Sequence, residues 1–344
     1  MRRGDDALAT ISLVSRLCAD GVRPLKATEF WKLSAGLGTG PNCLLGTNAG
    51  DLAAAHDFSG DFAQRIGALM GRATALTFEL ERLEQSGIGT LTPYDEHYPT
   101  RWPERLGLKA PPLLYAAGAT ELLNIAGLGV VGSRDVSPPG AKVAIEAAKC
   151  AVVRNIPLVS GGARGVDHLA MNAALDSGGA VVSVLADSLS RKLRDADVRS
   201  AIHDGRAVMC APYSPDAGFS TGNAMGRNKL IYAQAAVTLV VASDKGSGGT
   251  WTGATEALDR RFGRVAVWRG PGEGPGNEDL EQRGAVPISE IEQLGTLLDG
   301  DDADANIDAP PLAARPAQGT LFDVAAASRI RHVTAEGSSR VHRQ

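Results

Sequence analysis

The sequence predicts an α/β protein whose main body is a doubly wound, mostly parallel sheet, with a small helical domain in front and a disordered tail behind. Three observations predict it. Six short β-rich apolar runs fall between residues 125 and 268, and helical stretches separate them. The joints are rich in glycine, with 41 in 344 residues against an average usage of roughly 7%. Apolar strands that do not alternate with polar residues imply a sheet covered on both faces. Right-handed crossovers then make it a Rossmann-like fold.

Residues 1–86 read as helical, a small N-terminal bundle. ALATISLVSRLCADG has helical apolar spacing and closes on Gly21; TEFWKLSAGL continues the pattern, and DFAQRIGALMGRATALTFELERLEQSG closes on Gly87. In 87–124, prolines at 93, 99, 103, 111 and 112 forbid a continuous helix. This part reads as an ordered connector with one or two short strands, packing Tyr94, Tyr98, Trp102 and Tyr115 on the next domain. The core, 125–299, has strands at IAGLGVV (125–131), PLVS (157–160), AVVSVLA (180–186), AVMCA (207–211), TLVVAS (238–243) and VAVW (265–268). Helices are expected in GAKVAIEAAKCAVVRN, DHLAMNAALDSG, RKLRDADVRSAIHDG, NKLIYAQAA and GATEALDRRFG. From 300 to 344 acidic residues, alanine and proline without periodicity read as a disordered tail.

No run of about 18 apolar residues occurs, so no membrane span is expected. The N-terminus, with Arg2 and Arg3 followed by Asp5 and Asp6, lacks a signal core. Cys18, Cys43, Cys150 and Cys210 form no CxxC pair, which points to reduced thiols in a cytoplasm and to no metal or other cofactor. The net charge of −4 argues against a polyanionic partner only until its distribution is considered. Residues 125–270 hold seventeen Lys and Arg against twelve Asp and Glu, a surplus of five positive charges, whereas 299–308 alone holds five aspartates. An acidic tail conceals a mildly basic core.

Four stretches at strand ends carry the candidate chemistry, because open parallel sheets bind ligands beyond their carboxyl ends. The first is Gly132-Ser133-Arg134, combining a tight turn, a small donor and a guanidinium fork for phosphate. The second, Ser160-Gly161-Gly162-Ala163-Arg164-Gly165-Val166-Asp167, lets the backbone approach an anion at the start of a helix. There Asp167 reads as a helix cap or as an anchor for Arg164. The third includes Arg227, Asn228 and Lys229 in a stretch from Gly222 that precedes a helix, two cations flanking an amide. The fourth, Asp244 to Gly253, includes Ser247, Gly248, Gly249 and Thr250, whose N–H groups suit an anion-binding nest. Trp251 either stacks on a base or faces the core. None is a GxGxxG fingerprint or a P-loop.

In their order these motifs resemble the DNA-processing (DprA/Smf) family. Its GSR loop, its S-G-x-A-R-G-[IV]-D loop, its R-N-[RK] element and its S-G-[ST]-rich loop match Gly132–Arg134, Ser160–Asp167, Arg227–Lys229 and Ser247–Thr250. The connector and GNEDLEQRGAVPI (276–288) are also similar, so the likeness covers about 88–299, and it implies that the helical domain 1–86 is the family's small leading domain, of the SAM or helix-hairpin-helix kind. The resemblance implies a non-catalytic, cytoplasmic protein, commonly a homodimer, that binds single-stranded DNA and hands it to the RecA recombinase during uptake of transforming DNA. It implies phosphate contacts from Arg134, Arg164, Arg227 and Lys229 and from the loop glycines and serines. The chain departs from the family at Ala170-Met171, where Ala-His is usual, at SLSRKLRDAD, where a Tyr-Pro element is common, and in SGGTWTGATEAL.

An enzyme is the alternative. Phosphoribohydrolases of the cytokinin-activating type use P-G-G-x-G-T-x-x-E, and GGTWTGATE here ends in Glu256, a carboxylate suited to an N-glycosidic bond. A Ser/His/Asp hydrolase would have His168 and His203 available but lacks its G-x-S-x-G elbow, and His168 reads as a helix N-terminal surface residue. In the tail, Gln318, Leu321 and Phe322 resemble the Q-x-x-L-F peptide that docks on bacterial sliding clamps.

Overall fold

Among the residues described by the computed structural model (4–18, 20–56 and 58–300), nine strands form one sheet. They are β1 (Gly89–Leu91), β2 (Leu114–Gly118), β3 (Gly127–Val131), β4 (Leu158–Ser160), β5 (Val181–Val184), β6 (Ala207–Ala211), β7 (Ala235–Val240), β8 (Arg264–Trp268) and β9 (Val286–Ile288). The order is β1-β2-β6-β5-β4-β3-β7-β8-β9. From β6 to β9 every pairing is parallel, whereas β1 pairs β2 and β2 pairs β6 antiparallel. The doubly wound, mostly parallel fold is therefore present.

Strand residues alternate between two buried faces. In β6, Ala207, Met209 and Ala211 join one core and Val208 and Cys210 the other. This explains why the strands are apolar throughout. One face is covered by α7 (Pro138–Val153), α8 (Val166–Asp176), α9 (Leu189–Lys192), α10 (Ala196–His203) and α14 (Ile291–Asp299). The other carries α6 (Arg101–Leu106), α11 (Thr221–Gln234), α12 (Gly248–Arg260) and α13 (Asn277–Gln282).

The connector lies within the sheet, since β1 and β2 extend it. Tyr98, Trp102 and Tyr115 are buried as expected, but Tyr94 is 42% exposed, its hydroxyl 3.4 Å from Ser34 Oγ. The strand β9 was not expected, because Pro287 lacks an N–H; it is tolerated on the sheet's edge.

The leading helices are α1 (Asp5–Val14), α2 (Ala27–Leu37), α3 (Ala49–His56), α4 (Gly60–Met70) and α5 (Ala73–Gln85). The expected helix over 61–87 breaks at Gly71-Arg72, and α1 stops well before Gly21. One residue accounts for both. Buried Arg72 donates to the Ser12 carbonyl (2.7 and 3.0 Å) and to the Ser15 carbonyl (2.7 Å), satisfying acceptors at the C-terminal end of α1. These helices hold a core of their own around Phe30, Leu44 and Ile66. They also send Ile11, Leu76, Leu80 and Leu83 into the sheet's core, each buried side chain contributing about 1.5–3 kcal/mol.

Topology sets where a ligand can sit. From β3 the chain adds β4, β5 and β6 on one side, then returns to place β7 on the other. Val131 and Val240, the last residues of β3 and β7, are paired, so the loops after both strands leave at one level. The crevice at such a switch point is the usual ligand position in open α/β sheets.

Candidate nucleic-acid interface

A cavity of about 590 Å³ opens at that switch point. Its walls are the loop after β3 and the first turns of α8, α11 and α12. Three helix N-termini, each equivalent to roughly half a positive charge, therefore face one space.

The loop after β3 is short and cross-tied. Ser133 Oγ accepts from the Asp135 N–H (3.1 Å), the Ser133 carbonyl accepts from Val166 N–H (3.2 Å), and Thr250 Oγ1 donates to the Gly132 carbonyl (3.0 Å). Gly165 has φ +85°, and a Cβ there would lie 2.3 Å from the Ser133 carbonyl oxygen. Only glycine lets α8 start against this loop.

In the second loop, Ser160 Oγ is buried and donates to the Val130 carbonyl (2.8 Å). Arg164 projects into solvent and pairs with Asp135 (3.0 Å) at the rim. Asp167 is 6% exposed and accepts from its own loop, at the Gly161 N–H (3.2 Å); it does not hold Arg164. Burial raises its pKa, offset by the charge of Arg227 and by hydrogen bonds from the Ala163 and Gly161 backbone.

The third and fourth stretches are not loops up to where the helices were expected to begin. Residues 221–229 already belong to α11 and 248–253 to α12, the former capped by Ser220, which accepts from Asn223 N–H (3.0 Å). Successive helical residues point about 100° apart, so Arg227, Asn228 and Lys229 diverge. Arg227 turns inward and is 6% exposed. Burial lowers its pKa against the opposing charge of Asp167, and its Nε and Nη1 have no hydrogen-bond partner. Asn228 Nδ2 donates to the Gly249 carbonyl (3.0 Å), clasping α11 to α12. Lys229 lies on the opposite flank of α11, away from the crevice.

Of the expected residues, Gly132, Ser133, Arg134, Arg227, Asn228, Ser247, Gly248, Gly249 and Thr250 line the cavity. Gly161 roofs Arg227, since a Cβ there would sit 1.2 Å from its Nη1, while Gly162 stands beside Ser183. Trp251 faces away: it packs on the second core under the guanidinium of Arg283, 5.5 Å from its ring centre, so base stacking does not fit its position. Glu256 is absent from the cavity wall and pairs with Lys109 (3.4 Å) and Arg260 (3.5 Å). His168 and His203 are exposed. Gln318, Leu321 and Phe322 lie outside the described residues.

Sequence reasoning missed Phe219 and Tyr232, and gave no role to Met225 within the third stretch. Phe219 is 56% exposed at the crevice mouth, with the Arg134 guanidinium 5.7 Å from its ring centre. An aromatic residue inside DAGFSTGN, where no core needs it, was the available signal. Tyr232, 2% exposed, has a hydroxyl without a partner.

Fold and crevice together define a Rossmann-like protein with a cavity, lined by Arg134 and Arg227, at the sheet's switch point. Residues 89–299, beginning at β1, match the family described as DNA recombination-mediator protein A, and the chain belongs to that family. It is 30% identical over 238 residues to a DNA processing protein, DprA, of Mycobacterium tuberculosis, across 65% of this chain and 60% of that one. The match thus spans about 60% of that relative's length. The crystal structure of DNA processing protein A from Streptococcus pneumoniae aligns with a TM-score of 0.63 at 21% identity, over 86% of this chain and 98% of that chain. The Helicobacter pylori DNA processing protein A, whose structure concerns a single-stranded DNA binding mode, aligns with a TM-score of 0.53 at 24% identity, over 62% and 96%. Both share the fold. No described helix is long and apolar enough to cross a membrane.

Proposed function

We propose that this chain binds single-stranded DNA in the crevice between β3 and β7, without chemistry on the strand. The observation that carries the reading is Arg227, a buried guanidinium with unpartnered Nε and Nη1, in a cavity that three helix N-termini face. A buried cation lacking hydrogen bonds is costly, and a phosphodiester oxygen supplies both the charge and the acceptors it needs. Arg134 and Arg164 at the rim, with the Ser247–Thr250 backbone, would then hold neighbouring phosphates.

Preference for a single strand follows from the mouth. Exposed Phe219 beside Arg134 offers a stacking face, and unpaired bases have free faces, whereas duplex bases are stacked on each other. The single-stranded DNA binding mode of the Helicobacter pylori protein supports the same reading. Its finer parts are delivery of the strand to RecA recombinase, as a homodimer in the cytoplasm; the family description as a recombination mediator supports the first. The phosphoribohydrolase alternative gains no support, because Glu256 is held by two cations away from the crevice.

The test is competition: a labelled 20-nucleotide strand bound to the protein is displaced by unlabelled single strand or by duplex of the same sequence. We expect the single strand to compete at least ten-fold better. Equal competition contradicts the proposal.

A further inference from the structure

A second cavity, of about 300 Å³, lies on the opposite flank of α11 from the crevice. Three separate parts of the chain close it: the turn between α1 and α2, the connector after α6, and the core. Its charged lining residues are Arg16, Lys26, Lys109 and Lys229, all positive, and no carboxylate lines it. Lys109 reaches Glu256 at 3.4 Å. Arg16 and Lys229 have no carboxylate within ion-pair distance among the described residues. Lys229 is half-buried, and burial together with the charge of Lys109 lowers its pKa against the opposing charge of Glu256. Like charges gathered around one partly desolvated space repel unless an anion joins them. Pro111, Pro112 and Tyr213 add flat apolar faces, the kind of wall against which a sugar or base packs.

The two cavities share a wall. Met225 and Arg227 line the crevice, while Gly226 between them lines the second cavity. A helix with its side chains is about 10 Å thick, a distance a few nucleotides span. The N-terminus of α11 offers a low passage, because Ser220, Thr221 and Gly222 are small and exposed. Tyr213 braces it, donating from its hydroxyl to the Asn223 carbonyl (2.9 Å). Beside it, α2 is tied to the connector through Trp31 Nε1 donating to the Ala110 carbonyl (2.8 Å).

We propose that this cavity is a second phosphate site for the same single strand, which leaves the crevice over the N-terminus of α11 and ends against Arg16 and Lys229. This rests on the reading of the crevice as a DNA site, and it gives the leading helices a direct part in binding.

The test uses the full chain, its Arg16→Gln/Lys229→Gln variant and its Arg134→Ala variant. Each is titrated with labelled oligothymidylates of 4 to 20 nucleotides at several salt concentrations, with thermal melting to confirm folding. The wild type should gain affinity with length until both sites are spanned. The double variant should lose at least ten-fold on the longest strand, with a salt slope smaller by about 1.4, two contacts at about 0.7 each. Its affinity for the shortest strand should stay within two-fold. Arg134→Ala should weaken every length. Long-strand binding in the double variant equal to wild type, while Arg134→Ala still weakens it, overturns the second site and leaves the crevice reading intact. Failure of the wild type to bind any length overturns both. Saturable binding of free AMP, lost in the double variant with long-strand affinity unchanged, overturns the strand as the occupant.

Discussion

Asp167 and Arg227 offer a quantitative test of how the crevice is built. Asp167 is the largest opposing charge acting on the buried guanidinium. Losing the attraction of one member of a buried charge pair for the other costs about 3–5 kcal/mol. Asp167→Asn removes that attraction but also the larger desolvation that raises the Asp167 pKa, so a net change within about 1 kcal/mol is expected. Arg227→Met strands the carboxyl without that relief and should cost about 3 kcal/mol. The double variant removes both charges and should lie within about 1 kcal/mol of wild type, a coupling of about 3 kcal/mol. Urea unfolding at pH 7 measures all four stabilities. Binding separates the residues: Arg227→Met should weaken single-stranded DNA binding at least ten-fold, whereas Asp167→Asn, which removes a negative charge from an anion site, should leave it unchanged or tighter. Single-variant effects that sum to the double within about 0.5 kcal/mol would refute the reasoning.

The pH dependence carries a definite sign. Because the folded-state pKa of Asp167 is raised, its contribution to stability falls as pH rises from about 3.9 towards the raised value, and Asp167→Asn should abolish that slope in unfolding measured across pH. Glu29 behaves oppositely: Arg65 at 2.9 Å holds its carboxyl down at about 2. It should contribute up to about 3 kcal/mol above its ordinary pKa, lost as pH falls from 4.5 to about 2; an acid unfolding curve unchanged by Glu29→Gln would count against this. Gly161→Ala places a Cβ 1.2 Å from Arg227 Nη1 and must move the guanidinium. We expect about 1–3 kcal/mol of destabilisation and roughly ten-fold weaker strand binding, and wild-type values for both would contradict the packing. Glu256→Ala should cost under about 1 kcal/mol, since its ion pairs are partly exposed, and should bind DNA normally. Release of free base from nucleoside monophosphates by wild type, abolished in this variant, would restore the enzyme reading.

The core was legible where one kind of signal acted alone. Apolar runs such as AVMCA and TLVVAS mark strands buried on both faces, and β6 and β7 are there, although β7 starts at Ala235 because α11 runs straight into it. That junction has no turn residue; buried Gln234 supports it by donating to the Leu123 and Ile125 carbonyls. The start of α11 was not legible, because TGNAMGRN is rich in poor helix formers. Tertiary ties overrule that preference, from Asn228 to Gly249 and from Tyr213 to Asn223. Reading those residues as loop placed Arg227 and Lys229 side by side on one ligand; as helix they separate to two cavities. The inward turn of Arg227 depends on Gly161, far away in sequence, and no local pattern encodes it. Nor does any pattern reveal that Trp251 is covered by Arg283.

The most direct test of the central claim, that the crevice at the switch point holds the phosphates of a single strand, is fluorescence anisotropy of a labelled oligothymidylate from 50 to 200 mM salt. Wild type is compared with Arg134→Ala/Arg164→Ala, both exposed at the rim and removable without opening the core. The account predicts weaker binding at every salt concentration and a slope of log affinity against log salt reduced by about 1.4, about 0.7 for each phosphate contact. Binding and slope indistinguishable from wild type would place the strand elsewhere on the protein and contradict the account.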